Sequence, residues 1–209
     1  GKIHTVIVAG GQCDLSEYKE LLDEAYLIGA DRGALYLAAA GYSSDLAIGD
    51  FDSVNEEELE VICKNSAEIK RLPEQKDATD LEAAVEHAIM LAGAIHILGA
   101  TGTRLDQTAG AINLLKACLD KNKEAYIYDS HNRIRLIEGG CRLKKSRYRY
   151  VSLIPYGDVV ENVSLTGFKY SGDGITLERR SSLGISNEIT DDEALINCIG
   201  YLFVFESTD

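Results

Sequence analysis

Aspartate is spaced through the first half of this chain in patterns suited to holding a cation. In Gly49-Asp50-Phe51-Asp52-Ser53 two carboxylates lie two residues apart, directly after an apolar run. In an extended segment such residues point the same way, so Asp50 and Asp52 can converge on one hard ion such as Mg²⁺. Two carboxylates that close repel unless a cation or a shared proton lies between them. A second group, Asp77-Ala78-Thr79-Asp80-Leu81-Glu82, opens a helical pattern. Thr79 and Glu82 have the spacing of a capping box, and acids in a first helical turn offset the macrodipole. Capping accounts for Thr79 and Glu82 better than for Asp77 and Asp80. Asp52 or Ser53 likewise has a plain structural use, as the cap of the helix beginning near Asn55.

A third motif, Gly99-Ala100-Thr101-Gly102-Thr103-Arg104-Leu105-Asp106-Gln107, is a glycine-rich turn from strand into helix. Such a turn lets backbone N–H groups approach an anion, and Arg104 adds a fork of donors suited to phosphate. It has neither the Gly-Lys-Ser/Thr of a P-loop nor the spacing of a dinucleotide fingerprint. Lys76 could neutralise phosphate, although a lone lysine is more often solvated. Gly10-Gly11 and Ala30-Asp31-Arg32-Gly33 are further turns of the same kind, where glycine is the residue that turns most readily. Four glycine or aspartate turns, three with acidic side chains, form one set if their strands end at one rim.

The elements that must position these residues alternate. Apolar runs at 5–9, 25–29, 46–48, 95–98 and 125–128 each lead into glycine or aspartate, with a further short strand at 68–72. Helix-period segments at 15–24, 34–40, 55–64, 79–91 and 108–121 lie between them, which is the pattern of an α/β domain with a mostly parallel sheet. In such sheets ligands bind beyond the carboxyl ends of the strands. After residue 132 the pattern becomes β-rich (148–154, 159–165, 175–178, 201–205), with turn chemistry at Gly139-Gly140, Pro155-Tyr156-Gly157-Asp158 and Ser171-Gly172-Asp173-Gly174. The expected layout is an α/β domain over 1–132 and an all-β sandwich over 133–209.

The 209 residues carry 34 acidic and 21 basic side chains, a formal charge of −13. That charge repels a phosphate backbone at long range and argues against nucleic acid as a partner. No apolar run reaches the roughly 18 residues that span a bilayer, and no signal segment precedes the first strand, so a cytoplasmic, membrane-free protein is expected. The five cysteines are scattered and odd in number, and the four histidines share no helical turn. Neither a disulfide framework nor a zinc site is suggested.

In their order and approximate spacing these motifs resemble the thiamine pyrophosphokinase family. The resemblance is carried by Gly-Asp-Phe-Asp-Ser at 49–53, Asp-x-Thr-Asp at 77–80, Gly-Ala-Thr-Gly-x-Arg-x-Asp at 99–106, the Asp31 turn, and Gly184-Ile185-Ser186-Asn187-Glu188 near the end. It implies an ATP- and Mg²⁺-binding α/β domain, a thiamine-binding and dimerising β domain, and a homodimer with active sites at the subunit interface. It also implies transfer of a pyrophosphoryl group from ATP to the thiamine hydroxyl, with AMP leaving. Carried over residue by residue, Asp50, Asp52 and Asp80 are the expected metal ligands, with Asp77 an acidic neighbour in the catalytic set. Gly10, Gly11, Asp31, Arg32, Lys76, Thr101, Arg104, Asp106 and Gln107 are the expected nucleotide-binding residues, and Ser186 and Asn187 the thiamine contacts. The chain departs from the pattern at Arg32, Thr103 and Gln107, and it has no tryptophan to stack on thiamine.

Two other readings compete. Asp50-Phe51-Asp52-Ser53-Val54 also satisfies the Asp-x-Asp motif of haloacid-dehalogenase-type phosphatases, with Asp50 then a covalent nucleophile. Those enzymes place the motif on their first strand, whereas two strands precede it here. A non-catalytic Mg-nucleotide or thiamine-binding regulator is the other alternative.

Overall fold

The computed structural model describes residues 2–75 and 77–209. It divides into two compact units, Gly1–Ser130 and His131–Asp209. The first contains strands β1 (His4–Val8), β2 (Ala25–Ala30), β3 (Ser44–Gly49), β4 (Ser66–Arg71), β5 (Ile95–Leu98) and β6 (Ala125–Tyr128). Between them lie helices α1 (Lys19–Asp23), α2 (Gly33–Ala39), α3 (Glu56–Lys64), α4 (Asp80–Ile89) and α5 (Leu105–Asp120). All six strands are parallel, in the order β6-β5-β1-β2-β3-β4.

The central strands are apolar on both faces because helices cover both: Val6, Ile7 and Val8 are wholly buried. One face packs Val6, Val8, Leu27 and Leu98 against Leu15, Leu22 and Leu37. β4 is different, with Ser-Ala-Glu-Ile-Lys-Arg almost entirely exposed at the sheet edge. Its charges discourage pairing with another strand there. Helix α3 starts on a complete capping box, in which Asn55 accepts from Glu58 N–H and the Glu58 carboxylate accepts from Asn55 N–H. The cap is therefore Asn55 itself, and Ser53 and Asp52 are left for other contacts. At α4 only half of the expected box forms, with Thr79 Oγ1 accepting from Glu82 N–H.

The second unit is antiparallel throughout. It comprises β7 (Asn132–Lys144), β8 (Tyr150–Pro155), β9 (Val159–Thr166), β10 (Gly172–Glu178) and β11 (Glu193–Ser207). β11 pairs with β7 along its length, while its second half also takes β8 and its first half takes β9, which in turn pairs with β10. Both halves of β11 bury side chains in one core, Ala194 and Ile196 with Leu202 and Val204, so the strands wrap over a shared interior. Gly139-Gly140 does not end a strand as its composition suggests. Gly139, at φ 83°, bends β7 opposite the register shift of β11 between Asn197 and Tyr201. No helix among the described residues is long and apolar enough to cross a membrane.

Gly33 sets how closely α2 approaches the sheet, because a Cβ there would lie 1.7 Å from the Val8 carbonyl oxygen. The contact is to backbone, which can relieve it only by moving the helix. Gly33→Ala is expected to lower stability by about 3 kcal/mol. Urea unfolding checks this, and a midpoint equal to that of the unmodified chain would show that α2 is free to shift.

Candidate active site

β1 lies at the topological switch point of the first unit. The connections through α1, α2 and α3 build outward to β4 on one side of β1, and the chain then returns through α4 to place β5 on its other side. Loops leaving neighbouring strands at such a point diverge and leave a crevice at their carboxyl ends. Gly10-Gly11 leaves β1 and the 99–104 turn leaves β5, joined by a Gly11 N–H bond to Gly99 O of 2.7 Å. A Cβ on Gly11 would meet Gly99 O at 2.4 Å and Thr101 O at 2.7 Å, so the two turns close up only because that position is glycine. The crevice has a volume of about 870 Å³, and its walls include Gly10, Gly11, Asp31, Arg32, Asp52, Ser53, Asp80, Thr101, Arg104, Asp106 and Gln107.

At one end three carboxylates meet: Asp31, Asp50 and Asp52 each place an oxygen within 4.8 Å of the others. The expectation from strand periodicity needs correcting in one respect. The Asp50 to Asp52 segment is a turn, with Phe51 at φ 59° and Asp52 N–H bonded to Asp50 Oδ1 at 3.0 Å. Phe51 adopts this uncommon conformation because its ring is buried with Ala34, Ala47 and Ile62. The third carboxylate of this cluster is Asp31, and Asp80, which the resemblance makes a metal ligand, lines the same crevice, its charge acting on both Asp31 and Asp52. β2 and β3 run side by side with Ala30 opposite Ile48, so both strands deliver an aspartate to the same place. Asp80, in the first turn of α4, lies against Gly49, where a Cβ would be 3.1 Å from its Oδ2. Asp77 is exposed ahead of that helix and does not line the crevice. Lys76 lies outside the described residues.

The cluster is electrostatically unfavourable on its own. Asp31 has φ 51°; Ser53 Oγ donates to its Oδ2 at 2.6 Å, while its Oδ1 is buried with no hydrogen-bond partner. Burial raises the Asp31 pKa, the Ser53 bond opposes this, and the charges of Asp80 and Asp50 raise it further. A hydrogen bond shared with Asp50, then that group's charge, raises the pKa of Asp52. A buried oxygen without a donor, beside two more carboxylates, suits a hard divalent cation.

Arg32 and Arg104, which line the crevice, are each paired with an acid. Arg32 grips Glu58 at 3.1 and 3.4 Å and donates to Ser53 O at 3.0 Å, so it ties the Asp31 turn to the Asp50 turn. Arg104 holds Asp106 at 2.6 Å, with both side chains about two-thirds exposed. A pair that exposed contributes about 0–1 kcal/mol, so an incoming phosphate can compete for Arg104. Helix α5 begins three residues earlier than its apolar period suggests. Asp106 and Gln107 therefore occupy its first turn, and its N-cap position, Arg104, makes no capping bond. Thr101 Oγ1 donates to Asp129 Oδ2 at 3.0 Å, which anchors the turn at the end of β6.

Ser186 and Asn187 belong to the second unit. Ser186 is exposed at φ 62°, its N–H bonded to Ser152 Oγ at 2.9 Å. Asn187 is buried and its amide is engaged by the backbone of Tyr170. Sequence reasoning missed the convergence of Asp31 with Asp50 and Asp52, and the roles of Ser53, Glu58 and Asp129. A signal for the first was present in two strands that each end on aspartate, but no strand order was known to put them side by side.

A parallel α/β unit with carboxylates and glycine turns at its switch point, followed by an antiparallel β unit, is the architecture of a two-domain polyphosphate-handling enzyme. The family model described as thiamin pyrophosphokinase, catalytic domain, matches residues 18–127, and that described as thiamin pyrophosphokinase, vitamin B1 binding domain, matches residues 140–198. Thiamine pyrophosphokinase of Bacillus subtilis is 34% identical over 211 residues, covering 97% of this chain and 98% of that protein. The crystal structure of thiamine pyrophosphokinase from Bacillus subtilis aligns with a TM-score of 0.90 at 32% identity, covering 99% of both chains. That of thiamin pyrophosphokinase from Geobacillus thermodenitrificans aligns with a TM-score of 0.88 at 32% identity, over 99% of this chain and 98% of that one. The chain belongs to the thiamin pyrophosphokinase family, which removes the phosphatase reading of Asp50 and Asp52.

The repulsion within the carboxylate cluster has a measurable consequence. Asp31→Asn keeps an acceptor for Ser53 and removes one charge, so in chelator at neutral pH it is expected to raise the melting temperature by a few degrees. Added Mg²⁺ should stabilise the unmodified chain more than the variant. Calorimetry with and without Mg²⁺ checks this, and an equal gain for both proteins would mean that Asp31 takes no part in holding the ion.

Proposed function

We propose that the chain transfers a pyrophosphoryl group from Mg²⁺-ATP to the hydroxyl of thiamine, yielding thiamine diphosphate and AMP. The observation that carries this reading is the convergence, on one crevice, of motifs far apart in the chain. Carboxylates stand at one end of that crevice, and a glycine turn leading into a helix N-terminus stands at the other.

Asp50, Asp52 and Asp80, joined by Asp31, are the residues that would hold the cation, with Asp77 an outlying acidic neighbour. A bound Mg²⁺ would supply charge neutralisation for the polyphosphate and orientation of its oxygens. The turns at Gly10-Gly11 and 99–104, the first turn of α5 with Asp106 and Gln107, and Arg104 released from Asp106 would receive the nucleotide and its phosphates. Lys76, by resemblance, belongs to the same group. Arg32 holds the two aspartate turns together through Glu58 and Ser53.

The thiamine oxygen forms a bond to the β-phosphorus, the bond from that phosphorus to the oxygen bridging to the α-phosphorus breaks, and the hydroxyl proton leaves. Such a displacement requires little covalent chemistry from the protein, so positioning and electrostatics supply most of the acceleration. The thiamine contacts fall in the second unit around Ser186, and in the same reading the protein is a cytoplasmic homodimer whose active sites are completed between subunits.

Incubation with ATP, thiamine and Mg²⁺ should yield AMP and thiamine diphosphate in equal amounts, and Asp50→Asn should slow this by about 100-fold or more. Chromatography of the nucleotide and thiamine products reads the result. ADP with thiamine monophosphate, or phosphate release that ignores thiamine, would overturn the assignment.

A further inference from the structure

We propose that Tyr36 is a positioning residue for the nucleotide, acting through the peptide between Gly10 and Gly11, which its hydroxyl locks in one orientation. This rests on the preceding reading, in which that turn is part of the wall that receives ATP.

A peptide unit offers one acceptor, the carbonyl of its first residue, and one donor, the N–H of its second. In the Gly10-Gly11 peptide both are engaged. The Gly10 oxygen accepts from the Tyr36 hydroxyl at 3.0 Å, and Gly11 N–H donates to Gly99 O at 2.7 Å. In a trans unit these two groups point opposite ways, so the two bonds fix the plane from both edges. Without them the plane would turn easily, because glycine stands on each side of it and no Cβ opposes the rotation. Nor can Gly11 be replaced by a stiffer residue, since a Cβ there would meet Gly99 O at 2.4 Å. The close approach of the two turns therefore imposes glycine, and glycine leaves the orientation to be secured from outside.

Turned over, the peptide would bring its oxygen towards Gly99 O in place of its N–H. Two carbonyl oxygens repel, so the turns after β1 and β5 would part, and the wall of the crevice with them. The 99–104 turn is anchored separately, by Thr101 on Asp129, and Ala9 N–H is bonded to Leu98 O at 2.8 Å. The Gly10-Gly11 peptide is the link between those fixed points. The hydroxyl that holds it rides on a rigid mount. Gly33 seats α2 against β1, Leu37 is wholly buried, and Arg32, one turn before Tyr36, is bonded to Glu58 and to the Ser53 carbonyl. The Tyr36 ring is half-buried and packs against the core of Val6, Val8 and Leu37. Residues four apart share a helix face, so one face of α2 ties the aspartate turns through Arg32 and the glycine turn through Tyr36.

Tyr36→Phe removes the hydroxyl and keeps the ring in the core. Titration calorimetry with Mg²⁺-ATP, and KM for ATP, should show binding weakened by about 3- to 10-fold, the loss expected of one hydrogen bond, with KM for thiamine unmoved. Amide hydrogen exchange should quicken at Gly11 and stay as it was at Ala9. Tyr36→Leu, which also lacks the hydroxyl, should match Tyr36→Phe. Unaltered Mg²⁺-ATP affinity in Tyr36→Phe overturns this inference. A rise in both KM values with a lowered melting temperature also overturns it, as does a loss confined to Tyr36→Leu, because the ring would then act by packing alone. Calorimetry and exchange do not use the transfer reaction, so a chain that binds Mg²⁺-ATP with these effects but forms no thiamine diphosphate overturns the proposed reaction alone. If the unmodified chain does not bind Mg²⁺-ATP, both proposals fall.

Discussion

Like charges brought together at the carboxyl ends of β2 and β3 are the constraint on which the rest of the first unit depends. Asp31, Asp50 and Asp52 would separate if their backbones were free to move, since burial and mutual repulsion both disfavour the ionised forms. Several neighbours prevent it. Phe51, buried beneath α2 and α3, pins the turn between two of the acids. Ser53 binds the third, and Arg32 clamps Glu58 and the Ser53 carbonyl together. Glu58 is also half of the capping box of α3, so the helix start and the acidic cluster share one residue. Two non-glycine residues at positive φ, Asp31 and Phe51, mark where the backbone yields to this arrangement.

The crevice has a separate physical origin. Parallel strands connected through helices must leave β1 in both directions, and the loops that follow β1 and β5 part above it. Gly11 and Gly99 let the floor of that gap close at backbone contact distance, so the space left above it is bounded by main-chain groups and the start of α5. The acids stand on one wall and the uncapped helix on another, an arrangement complementary to a polyphosphate carrying its cation.

In the second unit, polar side chains orient the backbone around the 184–188 turn. Asn187 and Ser152 each satisfy main-chain groups in a stretch that has few ladder bonds of its own.

Much of this was legible in the residues themselves. Alternating apolar runs and helical periods identify the α/β unit, because a strand buried on both faces must be apolar throughout while its covering helices need only one apolar stripe. Glycine and aspartate at strand ends point to the rim, and the loss of helical period after residue 132 points to a β unit. What only the tertiary structure decided is which strand stands beside which. That order brings Asp31 to Asp50 and leaves Asp80 against Gly49, and it puts the crevice between β1 and β5. It also decides that Gly139-Gly140 bends a strand instead of ending it, and that the Asn187 amide faces Tyr170. Local sequence carries torsional preference and burial pattern, which act over a few residues. Partners far apart in the chain are selected by packing the whole sheet, and no short segment contains that information.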